Sequence, residues 1–133
     1  MTSTAVVPED RVDILNKRSF AHVATLGPHG EPQSNPVWFE WDGRFVKFSQ
    51  TTTRQKYRNL QRDNRIALSV HDPDEPHRYI EIRGRVEKIE PDPDKSFINK
   101  MSKKYIGKDA YPWGAPDEER VVVYVRPEHT TKQ

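Results

Sequence analysis

The chain has 133 residues, of which 33% are hydrophobic and 32% charged; its formal net charge is +2 and it has no cysteine. That length suits one core and not two, so residues 1–133 are expected to form a single domain. The missing cysteines exclude a disulfide framework, thiolate metal ligation and cysteine nucleophiles.

The apolar fraction lies close to the border below which chains stay unfolded. Three Trp, five Tyr and five Phe offset this, since each aromatic ring buries a large area. A thin-cored domain completed by a partner chain is expected. No apolar run approaches the ~20 residues of a membrane helix, and Met1 to Pro8 lack the regions of a signal peptide. A cytoplasmic protein, with no membrane partner, is therefore expected. The five histidines show no helical ligand spacing, and no metal is expected.

Pro8 to Lys17 predicts a short opening helix, with Pro8 at the first turn and Glu9 and Asp10 at its positive end. Phe20 to Leu26 reads as a strand that stops at the turn Gly27-Pro28-His29-Gly30. From Gln33 to Trp41 the alternation of Val37, Phe39 and Trp41 predicts one continuous strand. Asp42-Gly43 then suits a type I′ hairpin, which needs positive φ at both central residues. The returning strand is Arg44 to Gln50.

Thr53 to Asp63 changes to helical period around Tyr57 and Leu60, with a threonine expected as its cap. Ile66 to Val70 and Tyr79 to Ile89 read as strands, the latter with a bulge at Gly84. A second helix opens at Asp92-Pro93-Asp94, repeats Phe97, Met101 and Tyr105, and ends at Gly107. After a turn-rich loop over Asp109 to Asp117, Arg120 to Val125 is the last strand, and residues 127–133 read as a polar tail. The class is mainly β (α+β), a small antiparallel barrel with flanking short helices.

Catalytic constellations are scarce. Ser34, Ser49 and Ser69 lack a nucleophile elbow or a neighbouring base. The carboxylates Asp72, Asp74, Glu75, Asp92 and Asp94 sit beside prolines in turns, and no phosphate-binding glycine loop occurs. The informative stretch is Ser49 to Asn59, where a strand end meets a helix start. Hydroxyls, first-turn N–H groups and the cations Arg54 and Lys56 suit a phosphate there. The competing reading is an ordinary capped helix with a solvated basic face. Aromatics interleaved with Lys and Arg raise single-stranded nucleic acid as a competitor, but the near balance of charge argues against it and no nucleic-acid partner is expected.

The order of segments carries a resemblance. Phe20 to Asp63 contains Gln33-Ser34-Asn35-Pro36-Val37 and Ser49-Gln50-Thr51 ahead of Arg54 and Lys56. Asn64 to Val70, Tyr79 to Ile89, Lys104 to Gly107 and Val122 to Pro127 follow in order. From about residue 9 to 128 the chain resembles the flavin and deazaflavin oxidoreductases of the pyridoxamine 5′-phosphate oxidase-like, FMN-binding split β-barrel superfamily. It is most similar to the branch that uses the deazaflavin coenzyme F420.

The resemblance implies a homodimer with the cofactor between subunits and a small-molecule hydride acceptor. It implies that Gln33, Ser34, Asn35, Pro36 and Val37 line the ring, that Ser49, Gln50 and Thr51 follow the ribityl chain, and that Arg54 and Lys56 hold the phosphate, with Asn59 nearby. Arg58, Lys103 and Lys104 would meet a polyglutamyl tail, and Tyr79, His77, Tyr111 or solvent would supply the proton. FMN, as a flavin reductase or oxidase cofactor, and non-catalytic binding of F420 are the alternatives. The residues that hold the substrate phosphate in pyridoxamine phosphate oxidases have no match at the C-terminal end.

Overall fold

The computed structural model describes residues 6–132. Met1 to Ala5, part of the segment read above as lacking a leader, and Gln133 of the expected tail lie outside the described residues. A 3₁₀ turn at Glu9–Arg11 leads into α1 (Val12–Asn16), then β1 (Ala21–Leu26), β2 (Pro32–Val37), β3 (Glu40–Trp41) and β4 (Val46–Thr51). These are followed by α2 (Gln55–Arg62), β5 (Arg65–His71), β6 (Tyr79–Pro91), α3 (Ser96–Ile106) and β7 (Arg120–Lys132).

All seven strands form one antiparallel sheet in the order β2-β1-β5-β6-β7-β4-β3. The two edge strands, β2 and β3, are separated in sequence only by Trp38 and Phe39. The sheet must therefore curl until its edges nearly meet, which gives the split β-barrel. The alternation over 33–41 predicted one strand, and the chain instead leaves one edge at Val37 and joins the other at Glu40. Phe39 turns fully into the core there. The backbone at the break is satisfied from α3: Tyr105 Oη accepts from the Phe39 N–H at 3.2 Å and Lys104 Nζ donates to the Phe39 carbonyl at 3.0 Å. Open ladder groups would otherwise be buried without partners.

The barrel core packs Phe39, Phe48, Ile14, Leu15, Leu68, Ile80 and Ile82, all essentially without solvent contact. A smaller cluster, Ile98, Met101 and Tyr105, fixes α3 to Trp38 and Tyr111. Gly84 marks the expected bulge, with a register shift between Arg83 and Gly84. A Cβ there would lie 2.1 Å from the Arg126 carbonyl oxygen, so β6 and β7 approach where only glycine fits.

Three expectations are corrected. Residues 127–132 are not a tail but the end of β7, pairing with Ile80 to Gly84; with one face in solvent, a strand can carry polar residues. The 42–43 hairpin is not type I′, since only Gly43 has positive φ. The Asp42 carboxylate instead takes the Arg44 and Phe45 N–H groups at 2.8 and 2.6 Å, an Asx turn that needs no left-handed Asp. Finally, no threonine caps α2: Arg54 is its N-cap and makes no side-chain capping bond.

Candidate functional site

Where β4 ends and α2 begins, the chain opens a groove of about 340 Å³. Asn35, Pro36 and Val37 of β2 contribute to it, with Ser49, Gln50 and Thr51 of β4 and the cations Arg54 and Lys56. Alternation along β4 alone does not explain why three consecutive residues reach the groove. The strand ends there, and Thr51 N-terminally adjoins the turn into α2, where its carbonyl accepts from the Arg54 N–H at 3.3 Å.

Lys56 is the unusual side chain. It is only 5% exposed, it donates to Asn35 Oδ1 at 2.8 Å, and its ammonium lies 5.6 Å from the Phe48 ring centre. Among the described residues no carboxylate pairs with it or with Arg54. Burial, helped by the neighbouring Arg54 charge, pushes its amine from 10.5 down to about 8. A buried cation without a counter-ion is unfavourable, and here it is held 2.8 Å from a neutral amide at the edge of a groove.

The donors there suit an anion. The first turn of α2 has no side-chain cap, so its N–H groups have no intrahelical partners, and its positive end favours negative charge. Thr51 Oγ1 is buried without a hydrogen-bond partner, which an incoming polar ligand atom would correct. Apart from Arg120, the rest of the lining is aromatic or apolar, with Pro36, Val37, Trp38 and Ile98 nearest in kind to a ring-binding wall. The lining therefore fits a flat ring carrying a phosphate.

The other expected residues divide. Gln33 and Ser34 do not line the groove. Gln33 Oε1 accepts from Asn59 Nδ2 at 3.2 Å, and Ser34 is exposed. Asn59 is fully buried and lies outside the lining. Its amide nitrogen also donates to Thr25 Oγ1 at 3.0 Å, while its oxygen accepts from Gln55 and Arg62 at 2.8 and 3.2 Å. It ties α2 to β1 and β2. Arg58 points to solvent, bonded to the Thr53 carbonyl and Gln55. Lys103 pairs with Asp109 at 3.2 Å. Lys104 turns inward over the Phe39 and Tyr105 rings, where burial lowers its amine.

Of the proton-donor candidates, only Tyr111 lines the groove. His77 sits in the 72–78 loop beside Glu75, and Tyr79 lies at the start of β6, where its carbonyl accepts from Arg11.

Sequence reasoning missed Arg120 and Phe20 and left Trp38 and Trp113 unplaced. Phe20, expected inside β1, precedes it and is 48% exposed at the rim. Trp38, Tyr111 and Trp113 form an aromatic wall, with Trp38 also stacked on Tyr105 at 5.2 Å. Arg120 lies over Tyr111 at 4.7 Å and donates to Ser49 Oγ at 3.1 Å. The available signal was Tyr111-Pro112-Trp113, two large aromatics in a turn-rich loop where no strand or helix buries them.

Comparisons with known proteins agree with this architecture. Residues 7–133 match the family model described as pyridoxamine 5′-phosphate oxidase. A solved structure named F420 reductase is 43% identical, with 96% of this chain and 100% of that chain covered and a TM-score of 0.86. A 5a,11a-dehydrotetracycline/5a,11a-dehydrooxytetracycline reductase of Streptomyces rimosus subsp. rimosus is 32% identical over 68 residues, 48% of each chain. That match spans about half the length of the relative. A conserved hypothetical protein of Mycobacterium tuberculosis shares the fold at 21% identity, with 99% of this chain and 88% of that one covered and a TM-score of 0.72.

Proposed function

The chain belongs to the pyridoxamine 5′-phosphate oxidase family, and on that premise we propose that it is an oxidoreductase that binds the deazaflavin coenzyme F420 and reduces a small conjugated organic acceptor. The observation that carries this reading is the Arg54 and Lys56 pair, set at the uncapped start of α2 without carboxylate partners among the described residues. It occurs in a chain 43% identical, over 96% of its length, to a protein named F420 reductase. The reductase of Streptomyces rimosus, named for dehydrotetracyclines, supports a conjugated cyclic acceptor.

On this reading Arg54, Lys56 and the α2 N–H groups hold the cofactor's phosphate, Thr51 Oγ1 and Gln50 meet its polyol chain, and Asn35 to Val37 lie along the ring. The reduced deazaflavin, when bound, supplies a hydride. Gln33 and Ser34 precede the ring-lining residues on the same strand, and Asn59 holds α2 against β1 so that the two cations keep their place. Exposed Phe20 at the rim of an open groove supports a second copy of the chain covering the cofactor.

The test is to follow re-oxidation of reduced F420 by the purified protein with 1,4-naphthoquinone and 2-cyclohexen-1-one as acceptors. Protein-dependent and acceptor-dependent re-oxidation is expected, with a hydride and a proton added to the acceptor. Tight F420 binding without any turnover would make the protein a carrier. Stronger binding of FMN, whose phosphate would meet the same two cations, would make it a flavin enzyme.

A further inference from the structure

A second set of residues in the groove is built as firmly as the phosphate cations and is not used by them. Arg120 is almost buried, with a side chain 10% exposed. Its Nε pairs with Glu118, its Nη1 donates to Ser49 Oγ at 3.1 Å, and its plane lies over the Tyr111 ring. Its Nη2 has no hydrogen-bond partner among the described residues. A guanidinium held on three sides in the lining of the groove, with one nitrogen free of partners among the described residues, is preorganised for an oxyanion.

The loop that carries Tyr111 and Trp113 is fixed at three points. The Tyr111 N–H donates to Asn99 Oδ1 at 2.9 Å, Ser102 Oγ to the Ala110 carbonyl at 3.3 Å, and Lys95 Nζ to the Glu118 carbonyl at 3.3 Å. Trp113 rests edge-on against Tyr111 at 5.7 Å and still leaves 65% of itself exposed. An indole presented by an anchored loop offers its face to a flat partner, and such stacking adds to simple area burial.

We propose that Tyr111, Trp113 and Arg120 form a clamp for the acceptor, and that the acceptor class is a planar conjugated molecule bearing an ionised enol, phenol or carboxylate oxygen. The inference rests on the oxidoreductase reading above for the word acceptor, while the clamp itself is present in the chain alone. Trp113 covers one face of the ring and Arg120 receives the oxyanion. Glu118 acts as a positioning residue, since its carboxylate fixes the guanidinium and does not reach the ligand.

The experiment is equilibrium dialysis of the protein, with and without saturating oxidised F420, against 2-hydroxy-1,4-naphthoquinone, which is anionic at neutral pH, and its neutral parent 1,4-naphthoquinone. The chain has no cysteine for either quinone to alkylate. Wild type should prefer the anion by about ten-fold, one charge-assisted contact. Arg120→Gln should abolish that preference, Arg120→Lys should restore part of it, and Trp113→Ala should weaken both quinones by about ten-fold. F420 affinity should stay within about two-fold in each variant, a change of under 1 kcal/mol.

Because Trp113 is exposed, its variant tests the clamp even where Arg120→Gln fails to fold. The proposal is overturned if wild type shows no preference for the anion, if Trp113→Ala binds both quinones like wild type, or if the anion displaces F420. Failure of F420 to bind would refute the proposed function instead, and the dialysis of cofactor-free protein would still decide the clamp.

Discussion

Lys56 Nζ donates to Asn35 Oδ1 at 2.8 Å, so the start of α2 is joined to edge strand β2 by a cation that has no carboxylate partner among the described residues. The contact lies at the end of the groove where a phosphate is proposed to sit and links the residue expected to hold charge with one expected to line the ring. Two consequences follow for stability and binding.

Replacing Lys56 by Met should weaken F420 binding by about 1–3 kcal/mol, the worth of a hydrogen bond to a charged group. The same change should leave the melting temperature unaltered or raised, because it removes an unpaired buried charge. Fluorescence titration and thermal melting on the same preparations check both. A loss of stability together with affinity would mean the cation is structural.

The low Lys56 value gives a pH dependence of definite sign. Below about pH 8 the amine is charged in folded and unfolded chains alike, and folding bears the full penalty of burying it. Between about 8 and 10.5 the unfolded chain binds more protons, so this group's contribution to stability rises with pH. A bound phosphate favours the charged amine, so F420 affinity should fall as pH rises past about 8. Titrations from neutral to alkaline pH should show that fall in wild type and not in Lys56→Met.

Asp72 anchors the loop between β5 and β6. Lys17, the Asp74 N–H and Arg78 hold its carboxyl far below the usual 3.8, and Arg78 also pairs with Asp13 of α1. Asp72→Asn should lower the melting temperature at neutral pH without changing cofactor affinity. The difference from wild type should be full above about pH 4 and narrow as pH falls below it, since a depressed carboxyl contributes only while ionised. Melting curves across acid pH would show whether the gap closes.

Asn59→Leu should destabilise the fold by about 1–3 kcal/mol, because Thr25, Gln33 and Gln55 lose a buried partner. Urea denaturation measures this. Cofactor affinity should fall with it only through loosening of α2, so Asn59→Asp, which keeps the acceptor for Gln55 and Arg62, should retain more affinity than Asn59→Leu.

Much of the barrel was legible because its strands alternate and its turns carry Gly, Pro and Asp. Gly84 was readable as a bulge for the same reason. The crossing at Trp38 and Phe39 was not, since alternation through Val37, Phe39 and Trp41 is identical whether one strand continues or two edges are joined. Polar residues 127–132 concealed a strand whose outer face lies in solvent. Arg54 and Lys56 stood out by type and position beside a helix start. Arg120 did not, because what distinguishes it from any strand-edge arginine is its contact with Ser49, 71 residues away.

The most direct test of the account is a pair of titrations, F420 and FMN, each against wild type, Arg54→Ala and Lys56→Ala. The account predicts micromolar or tighter binding of F420 by wild type, in preference to FMN, and a loss of about ten-fold or more in each variant. Equal F420 affinity in all three proteins, or no F420 binding by wild type, would contradict it.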